Sequence, residues 1–142
     1  MAAQPPALPT WIADHLKRYQ ETNGADGHLW NGVPTLLLTT TGRKSGKPGT
    51  LPLIYGRDGD RYVIVASRGG APDHPGWYKN LAADPKVGLQ VAADKFSARA
   101  STAKGADRER LWKVMTKIWP AYDEYQTKTK REIPVVILER AR

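Results

Sequence analysis

Two glycine-rich loops carry the residues of this chain that are best suited to holding an anion. The first, TTGRKSGKP at residues 40–48, combines Arg43 and Lys44 with the backbone amides of a tight turn. The second, ASRGGAP at residues 66–72, adds Arg68. Backbone N–H groups and fixed cations together bind phosphate and carboxylate groups. The loops therefore predict a ligand with several negative charges, although a solvated turn of a basic protein would also explain the first loop.

The first loop resembles a nucleotide-binding P-loop with one residue missing. A P-loop must open a helix, because the amides of the helix N-terminus cradle the phosphates. Here Pro48 and a strand pattern follow the loop. A P-loop is excluded, and a cationic hairpin turn is the remaining interpretation.

Aromatic residues follow the second loop and recur near the C-terminus. Trp77 and Tyr78 lie in the first turn of a predicted short helix, where they could hold a flat ring beside the loop amides. Trp119, Tyr122 and Tyr125 are spaced by three residues and would line one side of a helical turn. A tyrosine hydroxyl there can stabilise a developing oxyanion. Both groups would also serve as core aromatics, so spacing alone leaves the two interpretations open.

Cysteine and histidine are too few to suggest thiol or metal chemistry. The chain has no Cys, and its only histidines, His15, His28 and His74, are far apart in sequence. A nucleophilic thiolate and a metal site are therefore not expected, and a bound cofactor would supply any redox chemistry. Lys and Arg exceed Asp and Glu by 22 to 14, a net charge of +8, which favours a partner with phosphate or carboxylate groups.

The periodicity of the chain predicts an α+β fold. Helical spacing predicts a helix from Thr10 to about Asn23 with the apolar stripe Trp11, Ile12, Leu16 and Tyr19. It predicts a second helix from near Pro75 to before Asp84, capped by Asp73, and a third that Asp107 caps and Pro120 ends. Strand patterns occur at residues 35–40, 50–55, 61–66, 87–91, 96–101 and 134–140, with turns at residues 42–48, 58–60 and 93–95. The first three strands are expected to be antiparallel neighbours. Hairpins interrupted by helices indicate an antiparallel sheet closed toward a barrel.

The length of 142 residues fits a single domain with one substantial core. Residues 1–33 are expected to form an N-terminal helix and linker, and residues 34–142 the barrel. Residues 1–9 lack a basic segment followed by an apolar run, and no stretch is apolar over a length that spans a bilayer. We therefore expect a cytoplasmic protein, and leave open both peripheral contact with the inner face of the membrane and the oligomeric state.

Several spaced motifs occur in unbroken order from about Pro34 to the C-terminus. They are LLLTTTGRKSG at residues 36–46, VASRGGA at 65–71, PGWYKNL at 75–81, YDEYQ at 122–126 and IP at 133–134. Together they resemble the deazaflavin-dependent nitroreductase and quinone reductase family. The resemblance implies a split β-barrel of the flavin/deazaflavin oxidoreductase type A, mostly antiparallel with flanking helices. It also implies coenzyme F420, an 8-hydroxy-5-deazaflavin with a phosphate and a polyglutamate tail, in preference to FMN.

By this resemblance the cofactor would lie against residues from five segments. They are Arg43, Lys44, Ser45, Lys47 and Gly49; Thr50, Leu51, Pro52, Leu53 and Ile54; Val65, Ala66, Ser67 and Arg68; Gly76, Trp77, Tyr78, Lys79 and Asn80; and Tyr122. The acceptor would contact Ile54, Trp119, Tyr122 and Tyr125, and the candidate catalytic residues are Tyr122, Tyr125 and Ser67. Gly49 stands where the family commonly has Arg, so one contact to the tail is expected to be missing.

The implied reaction is hydride transfer from the reduced deazaflavin to a quinone, enone or nitro compound, followed by protonation, without a metal. Two other classes of protein remain as alternatives. A non-catalytic flavin, deazaflavin or lipid carrier would need the loops but not the tyrosines. A basic nucleic-acid-binding module would use the charge, but the cations are spread over several segments without a recognised binding motif, so nucleic acid is not an expected partner.

Overall fold

The computed structural model describes residues 9–141. Four α-helices lie in this range, α1 (Thr10–Glu21), α2 (Gly76–Ala83), α3 (Gly105–Ile118) and α4 (Ala121–Thr127), together with a 3₁₀ turn over Arg68–Gly70. The strands are β1 (Leu29–Trp30), β2 (Val33–Thr41), β3 (Pro48–Ile54), β4 (Gly56–Asp58), β5 (Arg61–Val65), β6 (Lys86–Val91), β7 (Asp94–Thr102) and β8 (Val135–Arg140). All of their pairings are antiparallel. The predicted α+β class is confirmed.

The sheet has the order β1-β2-β6-β7-β8-β5-β4, and β3 pairs separately with β2. Only Tyr55 separates β3 from β4, so the chain passes from one end of this curled sheet to the other at that residue. The predicted turn at residues 58–60 is present, but it joins β4 to β5. Strand β5 then pairs with β8. The expectation that residues 50–55 and 61–66 would be paired neighbours was therefore wrong.

Helix α3 packs closely against Gly56, where β4 begins after the break in the strand at Tyr55. A Cβ atom on Gly56 would lie 2.7 Å from Sδ of Met115 and 3.0 Å from Cδ1 of Ile118. Helix α3 therefore packs directly on bare backbone, which only glycine permits. The sequence pattern of residues 50–55 contains no signal for this long-range contact, so it predicted one longer hairpin.

The core has two parts, one on each face of β5. Tyr62 and Ile64 belong to the cluster inside the curled sheet, with Leu81 of α2. Val63 and Val65 belong to the cluster under α3 and α4. Successive side chains of a strand point to opposite faces, so one apolar strand supplies both clusters. This arrangement places α4 beside the end of β5, where the second glycine-rich loop begins.

Two predicted helix caps were wrong. Helix α2 begins after Pro75 without a side-chain cap, and Asp73 instead accepts a hydrogen bond from Nζ of Lys79 at 2.6 Å. Helix α3 begins at Gly105, so Asp107 lies in its first turn. In both cases the carboxylate is close to the helix N-terminus but bonds a cation, which is a stronger partner than an amide.

The turn of the second hairpin is also tighter than predicted. Asp94 pairs with Val91, which leaves Ala92 and Ala93 as the turn instead of residues 93–95. Ala92 has a φ of +54° there. A two-residue turn of this kind requires positive φ, and the absence of glycine hid it from sequence reasoning.

The N-terminal elements pack against the sheet. Tyr19 is fully buried, and its hydroxyl donates to the Thr35 carbonyl at 3.0 Å and accepts from the Ala92 amide at 2.8 Å. Trp11, expected on the buried stripe, is 58% exposed and stacks on Trp30. None of the helices in residues 9–141 has the length and apolar character to cross a membrane.

Candidate functional site

A cavity of about 1060 Å³ opens beside the first glycine-rich loop and extends to the start of α4. Its walls come from α1, β1, β2, β3, the end of β5, both loops, the first turns of α2, and residues 119–125. Residues separated by more than a hundred positions in the sequence therefore line one open cavity.

Strand β3 gives this cavity two ends. Gly49 pairs with Thr40 beside the first loop, whereas Ile54 pairs with Thr35 beside α1. A strand rises about 3.4 Å per residue, so these two ends of β3 are about 17 Å apart. We call the region of Arg43 the cationic end, and the region of Ile54, with Trp11, Trp30, Trp119, Tyr122 and Tyr125, the aromatic end.

Asn80 of α2 holds the cationic end in place. Its Oδ1 accepts hydrogen bonds from the Arg43 amide at 3.2 Å and from Nη1 of Arg43 at 2.8 Å. Its Nδ2 donates to the hydroxyl of Thr40 at 3.3 Å. The first loop is thereby joined to α2, whose N-terminal amides have no side-chain cap. Such an N-terminus favours an anion.

Positive charge dominates the cavity lining. Its cations are Arg43, Lys44, Arg68 and Lys79, and Asp73 is the carboxylate among its lining residues. Lys79 is the partner of Asp73. Within residues 9–141, the other three cations form no ion pair with a carboxylate. They are therefore available for an anionic ligand.

The second loop follows an unusual backbone path. Arg68, Gly69 and Gly70 have φ values of +47°, +65° and +85°, three left-handed residues in succession. A Cβ atom on Gly70 would lie 2.5 Å from the Tyr125 carbonyl oxygen, so the loop touches α4 directly. A left-handed arginine costs conformational energy and persists only where other contacts fix it.

Arg131 supplies those contacts. Its guanidinium donates to the carbonyl oxygens of Ala71 at 2.8 Å, Ala66 at 3.3 Å and Ser67 at 2.7 Å, and to Nδ1 of His74 at 3.0 Å. Sequence reasoning missed this residue, because about 60 positions separate it from the loop. In the sequence, the only feature that pointed to Arg131 was its position just before the motif Ile133-Pro134.

Neighbouring aromatic rings form the aromatic end. The Trp30 ring lies 6.0 Å from the Trp11 ring and 5.3 Å from the Trp119 ring. Nε1 of Trp119 donates to the hydroxyl of Tyr125 at 3.4 Å. Rings from α1, β1 and the start of α4 thus meet at one end of the cavity. This wall suits a flat apolar ligand.

Tyr122 is the most buried residue of the aromatic end, at 5% exposure. Its burial, with a smaller contribution from Tyr125, raises the pKa of its hydroxyl. The hydroxyl therefore stays protonated at neutral pH. It forms no hydrogen bond within residues 9–141, so it is free to donate a hydrogen bond to a ligand oxygen.

Two histidines line the cavity, and their hydrogen bonds assign the Nε2–H tautomer to both. Nε2 of His15 lies 2.7 Å from the Gly27 carbonyl oxygen, which can only accept, so Nε2 carries the proton. Nδ1 of His74 lies 3.0 Å from Nη1 of Arg131, which can only donate, so this nitrogen is unprotonated. Burial and the charge of Arg131 lower the pKa of His74. His74 therefore remains neutral. Within residues 9–141, no side chain donates a hydrogen bond to Nδ1 of His15.

Most of the predicted site residues line the cavity. They are Arg43, Lys44, Ser45, Gly49, Thr50, Leu51, Pro52, Leu53, Ile54, Val65, Ser67, Arg68, Gly76, Trp77, Lys79, Asn80, Trp119, Tyr122 and Tyr125. Lys47, Ala66 and Tyr78 are not among its lining residues: Lys47 is exposed, Ala66 is fully buried, and the Tyr78 hydroxyl bonds Thr102 at 2.9 Å. Sequence reasoning missed the contributions of α1 and β1, namely Trp11, Ile12, His15 and Trp30.

The curled antiparallel sheet, flanked by helices and open along β3, places the protein in the class of split-barrel reductases that its motifs resemble. A sequence model of the F420H(2)-dependent quinone reductase family matches residues 11–140. The chain belongs to this family.

Relatives and solved structures agree with this assignment. An F420H(2)-dependent quinone reductase of Mycobacterium tuberculosis (strain H37Rv) is 46% identical over 126 residues, covering 86% of this chain and 85% of the relative. The structure of an F420-H2 dependent reductase (FDR-A) has a TM-score of 0.70 at 45% identity, covering 75% of this chain and 94% of that one. A structure described as a domain-swapped dimer has a TM-score of 0.73 at 41% identity, covering 91% and 97%.

Proposed function

We propose that this protein is an F420H2-dependent reductase that passes a hydride to a quinone. The observation that carries the proposal is the combination, in one cavity of about 1060 Å³, of a cationic end and an aromatic end. Family membership and the relative named as an F420H(2)-dependent quinone reductase support the same cofactor and acceptor. A carrier would need the cationic end but not the unbonded hydroxyl of Tyr122.

The residues present fit F420 by charge and by shape. The cofactor joins a flat deazaflavin ring to an anionic tail, and the cavity has the size of a cofactor site. We expect Arg43, Lys44 and Ser45, with the free amides of α2, to hold the phosphate and tail. We expect β3 and Trp77 to flank the ring. A Cβ atom on Gly49 would meet no atom within 4 Å, so the missing family arginine leaves open space there.

When bound, reduced F420 supplies a hydride. The residues of this chain then have to orient the acceptor and stabilise the negative charge that develops on its oxygen. Tyr122 is suited to donate a hydrogen bond to that oxygen, because burial disfavours its ionised form. Trp119 and Trp30 would stack on the acceptor and exclude water.

Tyr125 and Ser67 have supporting positions in this proposal. The Tyr125 hydroxyl accepts a hydrogen bond from Trp119, which leaves its own proton free to be donated. Arg131 binds the Ser67 carbonyl oxygen and thereby fixes the backbone that presents the Ser67 hydroxyl. Both residues line the same cavity as Tyr122.

The test adds reduced F420, FMNH2 and NADPH separately to the purified protein with menadione, and follows reoxidation of each donor by absorbance. We expect menadione-dependent oxidation of F420H2 and no comparable turnover with FMNH2 or NADPH. An enone and a nitroimidazole, added in place of menadione, define how far the acceptor range extends. Tight F420 binding without oxidation by any of these acceptors would identify a carrier instead.

A further inference from the structure

The reduction of a quinone to a hydroquinone needs one proton in addition to the hydride. The two candidate catalytic tyrosines are poor sources at neutral pH, because a phenol ordinarily titrates near about 10, and burial raises the pKa of Tyr122 further. His74 is also unsuited, because Arg131 donates to its Nδ1 and disfavours its protonation. Of the two histidines that line the cavity, His15 is the remaining one.

The His15 ring is held in a defined orientation. Its Nε2–H donates to the Gly27 carbonyl oxygen at 2.7 Å, and Thr35 donates to the same oxygen at 2.6 Å. Its Cδ2 edge faces Gly27, because a Cβ atom on that glycine would lie 3.1 Å from Cδ2. Nδ1 is on the other side of the ring from Cδ2. No residue in the range 9–141 forms a hydrogen bond with it.

This ring belongs to the aromatic end of the cavity. Thr35, its neighbour on β2, pairs with Ile54 on β3. Ile54 packs with Trp119, Tyr122 and Tyr125 in one cluster. The Thr35–Ile54 pair therefore links His15 to the residues expected to hold the acceptor, and all of them line one cavity.

We propose that His15 is the proton donor to the acceptor oxygen during quinone reduction. This inference rests on the proposed function. The hydride brings two electrons and forms the new bond to the acceptor, which leaves one oxygen with a negative charge. The N–H bond at Nδ1 of protonated His15 breaks, an O–H bond forms at that oxygen, and neutral His15 regains its proton from water. Nε2–H keeps its bond to Gly27 throughout, so the ring need not move.

The groups described around His15 are neutral or paired. The ring of Tyr19 on the same helix lies 6.3 Å away, and burial raises the pKa of Tyr19, so it stays neutral. The loop that carries Gly27 contributes Asp26, which pairs with Arg18 at 3.7 Å. The facing strand residues Thr35 and Ile54 are uncharged. Imidazole is the one side chain that ordinarily titrates near neutral pH.

A first test uses the cofactor-free protein with ¹⁵N-labelled histidine. NMR should show His15 as the Nε2–H tautomer, and addition of 1-naphthol, an analogue of the hydroquinone product, should move its Nδ1 resonance upfield. His28, whose Nε2 bonds the Tyr55 hydroxyl at 2.9 Å and which does not line the cavity, is the internal control and should not respond. Saturating naphthol without a change at Nδ1 of His15 would refute the proposal, whatever the outcome of the enzyme assay.

A second test uses two substitutions of His15, each of which mimics only one of its ring nitrogens. In His15→Gln the amide nitrogen replaces Nε2 and keeps a donor for Gly27, whereas the proposed proton donor Nδ1 is lost. We expect kcat with menadione and F420H2 to fall at least about tenfold, and the decrease of kcat with rising pH that a general acid causes to disappear. KM and F420 affinity should change little. His15→Asn, which mimics Nδ1 and loses the Gly27 bond, should lower thermal stability more than His15→Gln.

The matched control is His28→Gln, a substitution of the same kind outside the cavity. It should keep the wild-type kcat and pH profile. A kcat of His15→Gln within twofold of wild type, or an unchanged pH profile, would exclude His15 as the donor. Absence of menadione reduction by the wild-type protein would contradict the proposed function, and the naphthol titration would then decide the role of His15 alone.

Discussion

The two ends of the cavity are built on opposite physical principles. The cationic end presents long, exposed side chains on a tight turn, and Asn80 fixes only Arg43 among them. The aromatic end presents half-buried rings that pack against one another, with Tyr122 almost completely enclosed. Exposed charges attract a ligand over a distance but are screened by salt, whereas packed rings and an enclosed hydroxyl act only on contact. Affinity for the cofactor and rate with the acceptor should therefore respond to different substitutions.

Removal of charge from the cationic end should give the largest effect. Arg43→Ala with Lys44→Ala removes two cations that have no carboxylate partner within residues 9–141, at about 1.5–3 kcal/mol per lost charge-assisted contact at low salt. The Kd for F420, measured by fluorescence titration, should rise by about two to four orders of magnitude, and less at high salt.

Lys113→Ala with Lys117→Ala is the control for this experiment, because it removes the same net charge from α3, outside the cavity lining. It should leave the Kd unchanged. An equal loss of affinity in both double variants would mean that net charge, and not the cationic end, attracts the cofactor.

At the aromatic end, Tyr122→Phe tests the enclosed hydroxyl. The substitution keeps the ring and removes one hydrogen-bond donor. If that bond strengthens in the transition state, kcat with a quinone should fall by roughly ten- to a thousandfold while the Kd for F420 changes little. Tyr62→Phe, a buried tyrosine outside the cavity lining, should retain the wild-type kcat. Wild-type turnover by Tyr122→Phe with both a quinone and an enone would leave Tyr122 a packing role only.

A smaller effect is expected from Trp11→Ala. This ring is 58% exposed and stacks on Trp30, so its removal should not harm folding. Loss of its contact area should raise KM for the quinone by roughly five- to thirtyfold, or about 1–2 kcal/mol, with F420 affinity unchanged. Leu29→Ala is the matched control, because Leu29 is also an exposed apolar side chain but does not line the cavity. The same rise in KM in both variants would show that the wall acts through general hydrophobicity.

How far sequence reasoning could reach differs between the two ends for a physical reason. The cationic end comes from short contiguous segments, so Arg43, Lys44, Gly76 and Asn80 could be predicted from motifs, and all of them line the cavity. The aromatic end also needs Trp11, His15 and Trp30, whose positions depend on how α1 and β1 pack. Arg131 was missed for the same reason, because hydrogen bonds across about 60 positions leave no periodic pattern.

The fold shows the same limit of sequence reasoning. Local patterns predicted β8 and the helices to within a few residues, since period and breakers are local. The pairing of β5 with β8 and the break at Tyr55 depend on α3 packing over Gly56, which no local pattern records. Apolar runs show that a strand is buried but not which strand is its neighbour.

The last and smallest effect concerns an ion pair remote from both ends of the cavity. Asp58 accepts hydrogen bonds from Arg110 at 2.8 and 3.1 Å and from Arg61, and these bonds lower its pKa from 3.8 to about 2. Since the pKa is lowered by folding, the pair stabilises the protein above about pH 4 and loses this contribution as the pH falls through about 2. Asp58→Asn should therefore reduce the free energy of unfolding by about 1 kcal/mol at pH 7, a value reduced by solvent screening, and by almost nothing near pH 2. Urea denaturation at the two pH values measures this difference.

The F420 affinity and kcat of Asp58→Asn should match wild type, because Asp58 does not line the cavity. A change in F420 affinity or in kcat would mean that the strand pair β4–β5 transmits strain to the cavity. The two ends of the cavity would then not be independent of the rest of the fold.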